Sequence, residues 1–225
     1  MADKIRGILA GGMLLLGILL VGLAYREHQP FAMAKVEQKA IVQTVIAEPE
    51  DGAKSPMDRK IDFTLLKKIN PDIIGWLYIP QIDVDQPILK GNSDTEYLNK
   101  NFEGEFSPLG SIFTWAHADE LLADSHLCLF GHNMMSGQMF GRLDEFAEAE
   151  FREQNSKLYL YTPERSKELE VEDVFTCQNQ DEVFQDDWEN ESDRQTVTLA
   201  TCTGFSRTAY RFVVNCRVVE ELPVL

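Results

Sequence analysis

The feature that most constrains this chain is an apolar run near its start, GILAGGMLLLGILLVGLAY, at residues 7–25. These 19 residues carry no charge. At about 1.5 Å of rise per residue, a helix of that length spans roughly the ~30 Å hydrocarbon core of a bilayer. A signal peptide has a shorter apolar region and a small-residue cleavage site, whereas charged residues follow at once here. The run predicts an uncleaved, single-pass membrane anchor.

The flanks of this run predict an orientation. Basic residues lie on both sides of it, with Lys4 and Arg6 before and Arg26 after, so the positive-inside signal is weak. The tail of residues 1–6 is very short, however, and the rest of the chain is long enough for a domain. This asymmetry favours a cytoplasmic N-terminus and a domain on the outer face of the cell membrane.

The charge of the chain argues against one class of partner. It has 37 acidic and 21 basic residues, a formal net charge of −16. Such a surface repels phosphate backbones, so nucleic acid is not an expected partner. The acids are spread along the chain and form no recognisable calcium loop. The four histidines form no zinc-ligand spacing with cysteine, and we expect neither metal nor cofactor.

Residues 26–57 read as a polar extracellular stalk, and residues 58–225 as one globular domain. Apolar positions at helical intervals predict one helix in the stalk, at 34–48, and another that ends at Asn70-Pro71. Further helical stretches are predicted at 139–154 and near 181–191. Short strands with turn punctuation fill the rest, namely 73–80, 85–91, 110–115, 126–132, 157–163, 168–177, 195–202 and 210–221. This pattern predicts a mostly antiparallel sheet or barrel.

Cys202 is the best candidate nucleophile among the four cysteines. It ends an apolar strand and precedes Thr-Gly, so its thiol can face a groove at a sheet edge. Cys128 and Cys216 lie inside apolar strands, where a packed thiol is the usual role, and Cys177 has no evident partner. Two disulfides are compatible with an exported domain, although there is no CxxC pair. Local sequence leaves Cys202 open between nucleophile and structural thiol.

A nucleophilic thiol needs a proton-handling group and a group that stabilises an oxyanion. His132 lies in a glycine-flanked loop after a strand, where functional side chains concentrate. Arg211 starts the strand that follows Cys202 and would return beside it, with Arg207 as the competing arginine. For the other histidines, His28, His117 and His126, we expect ordinary surface or core roles.

The order of these residues resembles one enzyme family. TLATC at 198–202 is similar to the TLxTC signature of sortases, the cysteine transpeptidases of Gram-positive cell surfaces. FGHNM around His132 resembles their histidine loop, and Arg211 falls where they carry an active-site arginine. NPDIIGWLYIP, YLNKNFEGEFSPLGSIF and GHNMMSGQMFGRLDEF resemble class B sortases in particular. The resemblance covers about residues 61–219.

The resemblance implies a mostly β fold, an eight-stranded barrel with N-terminal helices and an additional helix between late strands. It implies a thiol peptidase and acyl transferase in which Cys202 attacks the threonine carbonyl of an NPxTx-type sorting signal on surface proteins. A thioester acyl-enzyme forms, and an amine of a lipid II-type peptidoglycan precursor resolves it. His132 acts as acid and then base, and Arg211 holds the substrate and stabilises the oxyanion. Implied substrate contacts are Leu98, Asn133, Ala200, Thr201 and Thr203.

Two departures from the class B pattern affect specificity. Thr203 follows the cysteine where an acid is common, and TWAHADE at 114–120 replaces an expected Asp-aromatic-Arg-Asn pattern. Two alternatives therefore stay open. One is a pilin polymerase that uses a pilin lysine as acceptor, and the other is a non-catalytic exported β-domain, for adhesion or scaffolding, whose cysteines pair.

Overall fold

The structure, a computed structural model, describes residues 2–46, 55–185, 188, 194–204 and 208–224. The chain separates into two units, residues 1–37 and 38–225. The first consists of most of helix α1 (Ala2–Val45), which contains the predicted anchor. No helix among the described residues is both long and apolar enough to cross a membrane. The anchor, with its tail and stalk, therefore stays a prediction.

The predicted stalk helix at 34–48 is not a separate element. Residues 34–45 continue α1, which ends at Val45, and 47–48 lie outside the described residues. Ile41 and Val45 are buried in an apolar cluster that also contains Leu66 of helix α2 (Phe63–Ile69). This burial explains the helical spacing of apolar residues, because the last turns of α1 pack against the second unit's own core.

The second unit is a closed barrel of eight strands in the order β1-β2-β3-β4-β7-β8-β6-β5. The strands are β1 (Ile73–Ile79), β2 (Val84–Lys90), β3 (Ile112–Thr114), β4 (His126–Phe130), β5 (Lys157–Tyr161), β6 (Arg165–Gln178), β7 (Thr196–Cys202) and β8 (Tyr210–Pro223). All eight predicted strands are confirmed. Most pairs are antiparallel, but β2–β3 and β4–β7 are parallel.

The two remaining helical predictions are confirmed in part. The stretch 139–154 contains a 3-10 helix, Leu143–Ala147, followed by α3 (Ala149–Gln154). Between β6 and β7 a 3-10 helix, Glu182–Phe184, is the additional late helix. The side chain of Asp181 caps it by accepting a hydrogen bond from the Val183 amide at 3.3 Å. Most of the predicted stretch beyond it lies outside the described residues.

The barrel is packed on both faces. Leu77, Leu129, Leu199 and Val214 belong to one apolar cluster, whereas the neighbouring Trp76 belongs to another. Because successive strand residues point to opposite faces, burial of both neighbours in β1 shows that the outer face is also covered. This two-sided packing explains why several strands read as continuous apolar runs.

Candidate active site

The three residues singled out from the sequence converge because of how β4, β7 and β8 pair. In the parallel β4–β7 pair Phe130 lies opposite Ala200, so the chain leaves both strands at the same edge. The Thr201 hydroxyl donates to the Gly131 carbonyl at 2.8 Å, which holds the next residue, His132, beside the end of β7. In the antiparallel β7–β8 pair, Cys202 faces Arg211. The predicted return of Arg211 to Cys202 is confirmed.

These residues line one groove of about 230 Å³. Its walls include the rings of Phe113, Trp115, Phe130 and Phe184, together with Leu98, Ala200 and Thr201. Its polar groups are His132, Cys202 and Arg211, joined by Asp94 and Asn179. The arrangement is a mostly apolar cleft with few convergent polar groups, which is typical of a ligand site.

The sequence did not identify Asp94, Trp115 and Asn179 as groove residues. Asp94 follows β2, Trp115 follows β3 and Asn179 follows β6, and nothing local distinguishes them from ordinary loop residues. Of the predicted substrate contacts, Leu98, Ala200 and Thr201 line the groove. Asn133 and Thr203 are not among the described residues that line it. The Asn133 side chain donates a hydrogen bond to the Cys202 carbonyl, whereas the Thr203 hydroxyl bonds to that of Thr208 in the turn after β7.

Cys202 differs from the other cysteines in exposure. All four lie in the described ranges as free thiols, and only Cys202 is not buried. Burial raises the pKa of Cys128 to about 12 and the pKa of Cys177 to about 11, and it also raises the pKa of Cys216. Because the thiolate is the nucleophile, these three thiols are inert near neutral pH. The absence of disulfides also removes the premise of a cysteine-paired scaffold.

The hydrogen bonds of His132 define its neutral tautomer. Its Nε2 lies 2.8 Å from the Leu98 carbonyl, and a carbonyl can only accept. Nε2 must therefore carry the hydrogen, which leaves Nδ1 as the acceptor when the ring is neutral. The Leu98 carbonyl orients the ring in the way that a carboxylate does in catalytic triads.

The loop that carries His132 is held by close packing. Gly131 lies against the buried ring of Phe140, where a Cβ would come within 2.8 Å of the ring, and the Phe140 amide donates to the His132 carbonyl at 3.0 Å. A single bridge pairs Asn133 with Met139. The glycine that precedes the histidine is therefore a requirement of packing.

Arg211 is held by the turn between β7 and β8. Its Nη1 donates to the carbonyls of Thr208 at 2.8 Å and Tyr210 at 3.0 Å. The competing arginine, Arg207, lies outside the described residues. Arg211 also lines the groove, where a charged multi-donor group can stabilise developing negative charge.

Two of the other histidines line a second cavity, of about 310 Å³. Nε2 of His126 is 2.8 Å from the Thr198 hydroxyl, and its ring centroid is 4.3 Å from that of Trp188. Burial lowers the pKa of His126 to about 4, against the opposing charge of Asp124. His117 stacks on Trp115, and the side chain of His28 lies outside the described part of the chain. Neither His117 nor His126 lines the described groove around Cys202.

Comparisons with known proteins agree with this architecture. Residues 77–219 match the family described as the sortase domain. Sortase B of Staphylococcus aureus is 26% identical over 182 residues, which cover 70% of this chain and 75% of the relative. The crystal structure of sortase B from Bacillus anthracis in complex with AAEK1 superposes with a TM-score of 0.67 at 26% identity, covering 84% of this chain and 97% of that one.

The fold also matches a structure described as a Staphylococcus aureus sortase B–substrate complex, with a TM-score of 0.64 and 24% identity. That alignment covers 87% of this chain and 94% of the other. A similarity at this level of identity supports the fold. The class B resemblance seen in the sequence is confirmed by these relatives.

Proposed function

The chain belongs to the sortase family, and we propose on this premise that it is a class B cysteine transpeptidase, which cleaves a sorting signal after threonine and transfers the acyl group to an amine. The observation that carries the proposal is the groove in which Cys202, the one cysteine that is not buried, faces Arg211 across β7–β8 beside the loop of His132.

In the first step the thiol proton of Cys202 passes to Nδ1 of His132, the nitrogen left free by the bond from Nε2 to Leu98. The thiolate attacks the threonine carbonyl carbon, a C–S bond forms, and the carbonyl oxygen becomes an oxyanion. The imidazolium then gives its Nδ1 proton to the leaving nitrogen as the C–N bond breaks. An acyl-enzyme thioester and a free amine result.

In the second step an acceptor amine attacks the thioester carbonyl. His132, now neutral again, takes the amine proton at Nδ1. It gives that proton to the sulfur as the C–S bond breaks, which regenerates the Cys202 thiol and the neutral ring. Arg211 stabilises the oxyanion of both tetrahedral intermediates from the facing strand. The amine must compete with water, because otherwise the enzyme would act as a slow protease.

The proposed donor is an NPxTx-type sorting signal of surface proteins, and the resemblance to class B sortases supports it. The apolar wall of Phe113, Trp115, Phe130 and Phe184 supplies the hydrophobic surface that an extended peptide would need. Leu98, Ala200 and Thr201 lie in the same groove, in line with substrate contact.

The proposed acceptor is an amine of a peptidoglycan precursor, which places the reaction at the outer face of the cell membrane of a Gram-positive bacterium. The uncharged run at residues 7–25 supports anchoring to that membrane.

The test is acyl-enzyme capture with the purified full-length chain. The chain is mixed with a labelled NPxTx-type peptide, and a covalent adduct is measured by intact mass. Cys202→Ala should abolish the adduct, whereas His132→Ala and Arg211→Ala should each reduce its rate by about 10²-fold or more. A peptide with the threonine replaced by valine is the control. An adduct that persists in Cys202→Ala refutes the assignment.

The acceptor is tested on the preformed adduct. Wall-type peptides with a free amine and pilin-type peptides with a central lysine are added in parallel, and the ligated products are compared by mass. The proposal expects the wall-type amine to resolve the thioester faster. A preference for the lysine peptide would instead support pilin polymerisation.

A further inference from the structure

Two threonine hydroxyls form a chain inside the turn between β7 and β8. The hydroxyl of Thr203, the residue after the candidate nucleophile, lies 3.0 Å from the hydroxyl of Thr208. The Thr208 hydroxyl in turn lies 2.9 Å from the carbonyl of Tyr210. The turn is therefore closed by side chains as well as by the bond from the Thr203 amide to the Tyr210 carbonyl at 3.2 Å.

The carbonyl at the end of this row of hydroxyls determines which hydroxyl donates to which. The Thr208 hydroxyl lies 2.9 Å from the Tyr210 carbonyl and 3.4 Å from the Thr203 carbonyl. Because carbonyls can only accept, its one hydrogen is donated to them, and mainly to the nearer one, that of Tyr210. The Thr203 hydroxyl must then donate to the Thr208 oxygen. Hydroxyls aligned donor to acceptor polarise one another, which strengthens the last bond of such a chain.

The row of hydrogen-bonded hydroxyls ends on the Tyr210 carbonyl, which also accepts a hydrogen bond from Arg211. Nη1 of Arg211 donates to the Tyr210 carbonyl at 3.0 Å and to the Thr208 carbonyl at 2.8 Å. Both acceptors therefore belong to residues whose positions the threonine hydroxyls fix. Among the described residues, no carboxylate forms an ion pair with Arg211. The carbonyls of Thr208 and Tyr210 are therefore the groups that hold this guanidinium.

We propose that Thr203 is a positioning residue for Arg211 and acts through Thr208. This inference rests on the proposed function, and it gives Thr203 a role other than the substrate contact expected from its sequence position. The two hydroxyls hold the turn carbonyls that bind Arg211. Because these groups are neutral, they do not neutralise the positive charge of Arg211.

Loss of the Thr203 hydroxyl should act on the transition state more than on binding. The guanidinium keeps its charge, but its Nη1 anchors become free to move, and the remaining donors lose their alignment with the developing oxyanion. Removal of a whole oxyanion donor costs about 10²–10³-fold in kcat. A misaligned donor should lose part of that, about 10-fold.

The experiment compares Thr203→Val with Thr203→Ser in the full-length chain. Valine keeps the shape of threonine but removes the hydroxyl, whereas serine keeps the hydroxyl. We expect Thr203→Val to lower kcat for peptide cleavage about 10-fold with KM within threefold, and Thr203→Ser to recover most of that rate. Thr208→Val should match Thr203→Val, and the double variant should lose no more than either single variant.

Thr162→Val is the matched control for a loss of stability. The Thr162 hydroxyl accepts hydrogen bonds from the amides of Glu164 at 3.3 Å and Arg165 at 3.0 Å in the turn between β5 and β6. This variant loses turn bonds without touching Arg211, and it should keep the wild-type kcat although its unfolding midpoint falls.

The positioning role is refuted if Thr203→Val keeps a kcat within twofold of wild type, or if Thr203→Ser loses as much as Thr203→Val. Failure of the proposed function would give a different result, because then the wild-type chain itself would form no adduct with the peptide.

Discussion

The side-chain amide of Asn133 donates a hydrogen bond from Nδ2 to the main-chain carbonyl of Cys202, at 3.0 Å. This bond joins the residue after the candidate base to the candidate nucleophile itself. Oδ1 of the same amide is buried and has no hydrogen-bond partner. An unpaired buried acceptor costs about 1–3 kcal/mol, so this asparagine is held in place at an energetic cost.

Asn133→Ala should therefore slow acyl-enzyme formation about 10-fold or more, because a shift of about 1 Å between reacting groups is enough for such a loss. The rate of adduct formation with the NPxTx-type peptide measures it. Asn155→Ala is the control. The Asn155 side-chain amide donates a similar hydrogen bond, 2.9 Å long, to the Phe151 carbonyl, and neither residue lines the groove. Equal rates in the two variants would contradict a positioning role for Asn133.

Gly110 lies under the carbonyl that orients His132. Its φ is +60°, and a Cβ there would come within 2.6 Å of the Leu98 carbonyl oxygen, the acceptor for His132. Gly110→Ala should destabilise the fold by about 1–2 kcal/mol through backbone strain and should also displace that carbonyl. We expect acylation to fall about 10-fold or more, measured beside urea unfolding.

Gly104→Ala is a control that separates backbone strain from displacement of the Leu98 carbonyl, the two expected effects of Gly110→Ala. Gly104 has a φ of +85°, but the nearest atom to an added Cβ is Nδ2 of Asn70 at 3.8 Å. This variant should lose stability by a similar amount and keep its acylation rate. If both variants lose activity equally, strain alone explains the result.

Local sequence was enough to predict the strands and one side of the site. Alternating and continuous apolar runs with turn residues predicted all eight strands, and the short spacing from Cys202 to Arg211 predicted their pairing. These features depend on residues close in sequence, where strand period and turn length determine which residues meet.

The rest of the site depends on long-range pairing. Phe130 and Ala200, which both line the groove, are paired because β4 and β7 run parallel, and no local pattern specifies a partner 70 positions away. Asp94 and Asn179 also reach the groove through long-range arrangement of the strands. They follow β2 and β6, which are not neighbours in the barrel. The family resemblance, and not the residue pattern, connected His132 with Cys202 before the structure did.

Cys202 should react with iodoacetamide much faster than the other thiols of the folded chain. Burial raises the pKa of Cys128 to about 12 and the pKa of Cys177 to about 11, so the thiolate fraction of each is very small at pH 8. We expect at least about 10-fold faster labelling of Cys202, followed by peptide mass mapping. In urea all four should label. Comparable labelling of Cys177 in the folded chain would contradict the burial of Cys177.

His126 should make the stability of the fold depend on pH. Burial lowers its pKa from 6.5 to about 4 in the folded chain, so the unfolded chain binds a proton at His126 at a higher pH than the folded chain does. Stability from this group is complete above about pH 6.5 and is lost as the pH falls towards about 4. Asp124 opposes the shift but does not cancel it.

His126→Gln tests this dependence with an uncharged side chain that can still donate to Thr198. The Thr198 hydroxyl donates to Oδ1 of Asn215 at 2.7 Å, so the group at position 126 must supply a hydrogen to the Thr198 oxygen, 2.8 Å from Nε2. Urea unfolding at several pH values between 4.5 and 7 should show a shallower fall in stability for the variant than for the wild type. All other side chains are the same in the variant and the wild type, so the difference between the two slopes isolates His126. Identical slopes would show that His126 is as free to protonate in the folded chain as in the unfolded one.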